Sequence, residues 1–193
     1  MKPHSLSTRF LFSLLLILFT RTLVSSQVVT WNNQVFRVDT LAEQLGFPWE
    51  VTYGPDDSLW VTEARGYKVT KIDAGNGGKR TVLNLSNNKD FNRPDITGGQ
   101  WPQGGLMGLA LHPKLLSGFP YVYLAYVYQF DNCIAGNNGC FFWTRVVRYT
   151  YNASNGSLGS PVIMLDALPG SNDHNSGRIT IGPDPADPTD TTK

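Results

Sequence analysis

Beyond residue 27 the apolar positions recur in twos rather than with the 3.6-residue period of a helix. Trp49, Val51 and Tyr53 alternate with Glu50 and Thr52, which predicts a half-buried strand with the apolar set inward. Gly54-Pro55-Asp56-Asp57 turns the chain, and residues 59–62 form the next strand. Residues 67–72 and 80–85 follow, joined by Gly75-Asn76-Gly77-Gly78, a hairpin signal. The order then returns: strands at 106–111, 121–128, 146–151 and 161–165, with His112-Pro113 in the place of the first turn. A third copy opens at Arg178-Ile179-Thr180-Ile181 and reaches Gly182-Pro183-Asp184. Pro55, Pro113 and Pro183 mark the same point in each copy, 58 and 70 residues apart. One short helix is predicted at 40–45, where Thr40 and Glu43 have capping-box spacing and Gly46 and Pro48 end the run.

Four antiparallel strands per repeat at this period predict an all-β fold made of β-propeller blades. A propeller sheet is covered on both faces by its neighbours. That suits the stretch from Tyr121 to Tyr128, which is apolar or aromatic on both faces. A β-sandwich is the competing arrangement, but the repeated strand, proline turn and strand favour the propeller. The chain holds two such units and the first strand of a third.

Composition narrows the class. Hydrophobic residues make up 41% and charged residues 16%, enough apolar material for a core. Sixteen Lys+Arg stand against 15 Asp+Glu, without the basic excess of a nucleic-acid binder. Lys2 and Arg9, the apolar run 10–19 and the small residues Val24-Ser25-Ser26 read as a secretory signal peptide over residues 1–26, too short to span a bilayer. The domain then runs from 27 to 193. Loss of Lys2, Arg9 and Arg21 takes the 16 basic residues to 13 against 15 acidic ones, so no cationic membrane surface remains. A secreted, extracellular chain is expected. Cys133 and Cys140 flank a Gly/Asn-rich turn segment, Ile134 to Gly139, and read as a disulfide in an oxidising compartment. Asn84, Asn152 and Asn155 head N-glycosylation sequons.

The histidines separate by position. His4 lies in the signal segment. His112 occupies a repeat-equivalent turn, which argues for a structural hydrogen bond. His174, in Ser171-Asn172-Asp173-His174-Asn175-Ser176-Gly177-Arg178, lies on the loop leading into the third copy. Such loops gather at one end of a propeller channel. A neutral imidazole there can take a proton, with the Asp173 carboxylate beside it. The equivalent earlier loop, Gln100-Trp101-Pro102-Gln103-Gly104-Gly105, offers amides for sugar hydroxyls and an indole for a sugar face. A plain polar loop is the other reading of 171–178. There is no GxSxG elbow, P-loop or GxGxxG after a strand, and Asp184, Asp187 and Asp190 do not have EF-hand spacing.

The segments Gln103-Gly104-Gly105-Leu106-Met107-Gly108-Leu109-Ala110-Leu111-His112-Pro113, Tyr121-Val122-Tyr123, Arg148-Tyr149-Thr150-Tyr151 and Asp173-His174-Asn175-Ser176-Gly177-Arg178-Ile179-Thr180-Ile181-Gly182-Pro183-Asp184 resemble the glucose/sorbosone dehydrogenase family, in particular its soluble PQQ-dependent branch. The resemblance runs through most of residues 46–184. It implies a six-bladed propeller with pyrroloquinoline quinone (PQQ) and calcium at the channel mouth, oxidising an aldose at C1 to a lactone. By the same resemblance His174 is the general base, while Gln103 and Asp173 hold the sugar and support that histidine. The family's cofactor cations and calcium ligands lie in later blades and have no counterpart here, and 185–190 lengthens a usually tight turn. Which sugar is used and what accepts the electrons are not specified by the residues. Two other readings are a non-catalytic extracellular propeller that binds a partner, which has no need of His174 with Asp173 and Gln103, and a calcium-dependent lactonase-type propeller, which needs acidic and Asn ligands across its blades. Six repeats of this length need roughly 350–420 residues, so the chain is expected to be an inactive N-terminal part of the propeller.

Overall fold

A computed structural model describes residues 27–86, 104–129, 142–170, 175 and 177–183. The predicted signal segment and both cysteines lie outside these residues. Ten strands are described, and no helix among the described residues is long and apolar enough to cross a membrane.

Residues up to Thr40 form a unit of their own. Its described part is a hairpin of β1 (Gln27–Trp31) and β2 (Gln34–Val38). Asn32 and Asn33 take φ of 47° and 61°, the left-handed pair that a two-residue hairpin turn requires. Neither strand is among those expected from the sequence, although Asn-Asn between β-branched runs was the available signal.

The unit from Leu41 onward holds two four-stranded antiparallel meanders. The first sheet is β3 (Pro48–Tyr53), β4 (Ser58–Glu63), β5 (Lys68–Asp73) and β6 (Lys79–Asn84). The second is β7 (Leu106–Leu111), β8 (Tyr121–Gln129), β9 (Phe142–Asn152) and β10 (Ser157–Pro169). All eight strands expected for two repeats are present, in the expected order. The turn chemistry explains the register. Asp73 Oδ1 accepts from the N–H groups of Gly75 and Asn76, and Gly77 adopts φ 74° between β5 and β6. The Gly54 N–H donates to the Ser58 carbonyl at 2.8 Å and closes the first proline turn.

Three expectations need correction. Residues 40–45 are not helical: Gln44 sits at φ 58°, and six residues make too few hydrogen bonds to offset helix nucleation. The β3 pattern is inverted. Trp49, Val51 and Tyr53 are 41%, 54% and 61% exposed, whereas Glu50 and Thr52 face the side toward β7. The apolar set marks the sheet face that has no neighbouring blade among the described residues. Residues 178–181 stand at the place expected for the first strand of a third unit, but they are not a strand and no strand among the described residues pairs with them.

The core lies between the two sheets. Trp60, Tyr67, Leu106, Met107, Leu124 and Val147 are among its fully buried side chains. Buried polar groups are matched across this seam and within the first sheet. The Thr62 hydroxyl accepts from the Glu50 N–H at 3.1 Å and donates to the Met107 carbonyl at 2.6 Å. The Tyr67 hydroxyl donates to the Val127 carbonyl at 2.7 Å, and the Leu106 N–H donates to the Ala64 carbonyl at 3.0 Å. The buried Glu63 carboxylate accepts from the Gly46 N–H (2.6 Å) and the Thr70 hydroxyl (2.5 Å). Burial without these partners would cost free energy rather than contribute it.

Lys71 crosses the same seam, ion-paired with Asp56, donating to the Tyr151 hydroxyl at 3.1 Å and lying over the rings of Trp60 and Tyr151. Burial pulls its ammonium pKa down, but the bonds to Asp56 and Tyr151 more than offset this, and the net direction is upward.

Two predictions concern the seam. Thr62→Val keeps the shape but leaves the Glu50 N–H and the Met107 carbonyl without that partner; it should cost about 1–3 kcal/mol in denaturant unfolding at unchanged m-value, and a loss under about 0.5 kcal/mol would show that the hydroxyl is dispensable. A raised Lys71 pKa stabilises the fold fully below the unfolded value of about 10.4 and loses that contribution as pH rises through the folded value. The stability gap between wild type and Lys71→Met should therefore narrow above that pH, and a gap that stays constant would refute the pairing.

Candidate functional site

Gln103, Asp173 and His174 lie outside the described residues, as does Ser176; the residues that bracket them are described. On the Gln103 side, Gly105 takes φ 100°, and any Cβ there would overlap the Ala64 carbonyl. A glycine is required at this point for both reasons. The Gly105 carbonyl accepts from the Val127 N–H at 3.0 Å, which ties the strand start to β8.

On the His174 side, Gly170 and Asn175 lie against each other: a Cβ on Gly170 would stand 3.3 Å from Asn175 Oδ1. The Gly170 N–H donates to the Phe142 carbonyl at 3.0 Å. Further on, Gly177 packs on Met107 and Gly108 of β7, where a Cβ on Gly177 would fall 2.6 Å from Met107 Cβ. Gly105 and Gly177, described residues next to Gln103 and His174 in sequence, thus lie at or against the first half of one strand. Gly105 and Gly108 are three residues apart, roughly 10 Å along a strand.

Below these anchors β3, β7 and residues 178–181 line a cavity of about 330 Å³ with Glu50, Thr52, Ala110, Arg178 and Thr180 on its wall. Arg178 Nη2 is 3.5 Å from Glu50 Oε1. Glu50 is not a candidate from the sequence; its largely buried side chain faces an exposed arginine, a pairing that shows only once the two sheets are packed. A second cavity of about 530 Å³ opens between β6 and β8–β10, lined by Tyr67, Tyr126, Tyr149 and Arg145. Burial, and then the neighbouring Tyr126, pushes the Tyr149 phenol above its ordinary range, so the hydroxyl stays protonated.

His112 has the structural role that its repeat position predicted. It is buried, its Nδ1 accepts from the Lys114 N–H at 3.0 Å, and its ring stacks on Phe119 with centroids 4.9 Å apart. An accepting Nδ1 places the proton of the neutral ring on Nε2.

The family model of glucose/sorbosone dehydrogenases matches residues 45–186. The chain belongs to that family. It is 33% identical over 162 residues to quinoprotein glucose dehydrogenase B of Acinetobacter calcoaceticus, covering 84% of this chain and 32% of that protein. Among solved structures, it resembles the PQQ-bound aldose sugar dehydrogenase of Streptomyces coelicolor with TM-score 0.56 and 24% identity, over 83% of this chain and 40% of that one. A putative oxidoreductase (glucose dehydrogenase) from Thermus thermophilus gives TM-score 0.53 and 24% identity, over 82% and 38%. The two meanders are therefore blades of a β-propeller, and the chain spans about a third of the length of its curated relative.

The described residues do not by themselves make a quinone site. A cofactor bearing several carboxylates needs several cations. The cavity below the anchors has Arg178, already facing Glu50. No group of three or more His, Cys, Asp or Glu among the described residues is placed to hold a metal ion.

The two histidines should separate experimentally. His112→Ala should lower stability by about 1–3 kcal/mol through the lost turn bond and ring packing. It should leave the pH profile of any dehydrogenase activity unchanged in a protein carrying the remaining blades. A shifted profile would place His112 in the chemistry.

Proposed function

We propose that this chain supplies the base-bearing part of a PQQ-dependent aldose dehydrogenase. The observation that carries the reading is the convergence of the Gln103 and His174 loop anchors on the first residues of β7. On this reading sugar and base lie near that end of β7. His174, as neutral imidazole, takes the C1 hydroxyl proton, a contribution of about 10²–10⁴-fold. Asp173 orients the ring and stabilises its protonated form. The Gln103 amide holds sugar hydroxyls through both its donor and its acceptor. Loss of the C1 hydroxyl proton to the imidazole and of the C1 hydrogen as hydride yields the lactone; PQQ, proposed from the quinoprotein relatives, would accept the hydride, calcium is proposed beside it, and no described residue of this chain is assigned to hold either.

In a protein that continues through those blades, His174→Ala should abolish PQQ-dependent dye reduction with glucose. Activity within a few-fold of wild type would remove His174 from the role of base. The 193-residue chain alone should show no turnover when PQQ and calcium are added, and measurable turnover would overturn the division of the site between this part and the rest.

We further propose that the chain is secreted, with Cys133 paired to Cys140. Support comes from the leader-like pattern of 1–26 and from the sequons, since Asn84, Asn152 and Asn155 are all exposed at strand ends or in the β9–β10 turn. Protein from a eukaryotic secretory host should lose mass on endoglycosidase treatment. An unchanged mass would overturn the glycosylation proposal.

A further inference from the structure

The part of the His174 loop that the structure describes is seated on β7 by two glycines. A Cβ at Gly108 would overlap the Gly177 carbonyl oxygen and would also stand 3.2 Å from Ala125 Cβ. On the other side of the contact, a Cβ at Gly177 would meet Met107 at Cβ (2.6 Å), Cε (3.0 Å) and Sδ (3.4 Å). Neither position has a left-handed φ, so backbone conformation does not demand glycine at either. Close approach does. At Gly108 the contact is with backbone, at Gly177 with the buried Met107 side chain, and neither has much freedom to relax. Met107 is fully buried, and its carbonyl is held by the Thr62 hydroxyl of the first sheet. Gly108 is paired in register with Ala125 of β8.

We propose that Gly108 and Gly177 are positioning residues for His174. They form a close-packed dock that sets the height of Gly177 and Arg178 on β7, and through it the placement of the imidazole three residues before Gly177 in sequence. Neither glycine touches substrate. The inference rests on the dehydrogenase reading above for its catalytic consequence, but not for the dock itself. A methyl group at either position must push the segment off β7, and a displacement of about 1 Å can cost ~10²-fold in rate.

The test uses the protein with all its blades and compares Gly108→Ala, Gly177→Ala and Gly54→Ala. Gly54 is the control for strain alone: its Cβ would fall 2.5 Å from Asp56 Oδ1 and 2.6 Å from Trp60 Nε1, in the turn before β4 and away from the loop. Two quantities are read, kcat against KM for dye reduction and hydrogen exchange of the 175–183 segment. The dock predicts that both loop variants lose ~10²-fold in kcat with little change in KM, and that exchange quickens in 175–183 while β3–β6 keep their protection. Gly54→Ala should lower stability and leave both readings unchanged. Should Gly108→Ala fail to fold, Gly177→Ala decides, because its methyl meets the Met107 side chain outside any ladder. Unchanged exchange in 175–183 overturns the dock. Faster exchange with kcat at the Gly54→Ala level overturns the positioning role and leaves the dehydrogenase reading standing. A wild type without dye reduction, or full activity in His174→Ala, overturns that reading and the positioning role, while exchange still decides whether the dock exists.

Discussion

The arrangement depends on how β7 is held. As the first strand of the second blade it is buried along most of its length, and its backbone groups on the first-blade side have no strand to pair with among the described residues. Adjacent blades pack face to face, so no ladder can run between them. The first sheet supplies substitutes one at a time: the Thr62 hydroxyl for the Met107 carbonyl and the Ala64 carbonyl for the Leu106 N–H. One strand over, Tyr67 does the same for the Val127 carbonyl of β8. Each bond adds about 0.5–1.5 kcal/mol net, but a missing partner costs about 1–3 kcal/mol. The seam therefore acts more as a specification than as a source of stability. It allows one height and one tilt for β7, and the apolar core fills the space that remains.

That specification reaches the described residues beside the candidate site, because Gly105 and Gly177 both meet the first half of β7 or the turn next to it. Gly105 ends the loop of Gln103 against Ala64, and Gly108 receives Gly177 from the loop of His174. The buried Glu63 carboxylate adds a third tie at this end, since it holds the Gly46 N–H just before β3. Loops placed by rigid strands are the usual carriers of binding chemistry. Here the placement is made by backbone contacts at glycines, which have no rotamers to vary.

The blade pattern was legible because strand alternation and turn residues are local. Eight strands follow from runs of apolar residues punctuated by Gly54-Pro55, Gly75 to Gly78 and His112-Pro113; the observed ends lie close to the expected ones in the first six, whereas β9 and β10 extend past the expected 146–151 and 161–165 at both ends. His112 was legible for a related reason: a repeat-equivalent turn position implies a turn bond. Facing was less legible. Alternation in β3 shows which residues share a side, but not which side a neighbour covers, so Trp49, Val51 and Tyr53 read as inward and stand outward. The helix expected at 40–45 rested on a capping pattern over too few residues, and tertiary contact at Leu41 and Gly77 prevailed over it. Non-local roles were not legible at all. Nothing in the spacing of Thr62, Glu63 or Glu50 marks them as partners of Met107, Gly46 or Arg178, because those pairs exist only after the sheets pack. Gln103, Asp173 and His174 were read from residue type and lie outside the described residues; what the structure adds is that their described neighbours Gly105 and Gly177 both lie against other backbone at or near the start of β7, which no spacing announced.

The glycine of β7 shows why a strand so well suited to burial carries a residue poor in strand propensity. Gly108 contributes no side chain to a core that is otherwise filled by Leu106, Met107 and Leu109. In a strand interior this weakens both packing and backbone order. Stability alone would favour alanine, since Ala125 opposite leaves room for little more than a methyl group. What alanine cannot allow is the approach of the Gly177 carbonyl. The local cost at Gly108 is therefore explained by the loop it receives rather than by the sheet it belongs to. Conflict between local propensity and the observed residue is expected where a strand serves a site as well as a core.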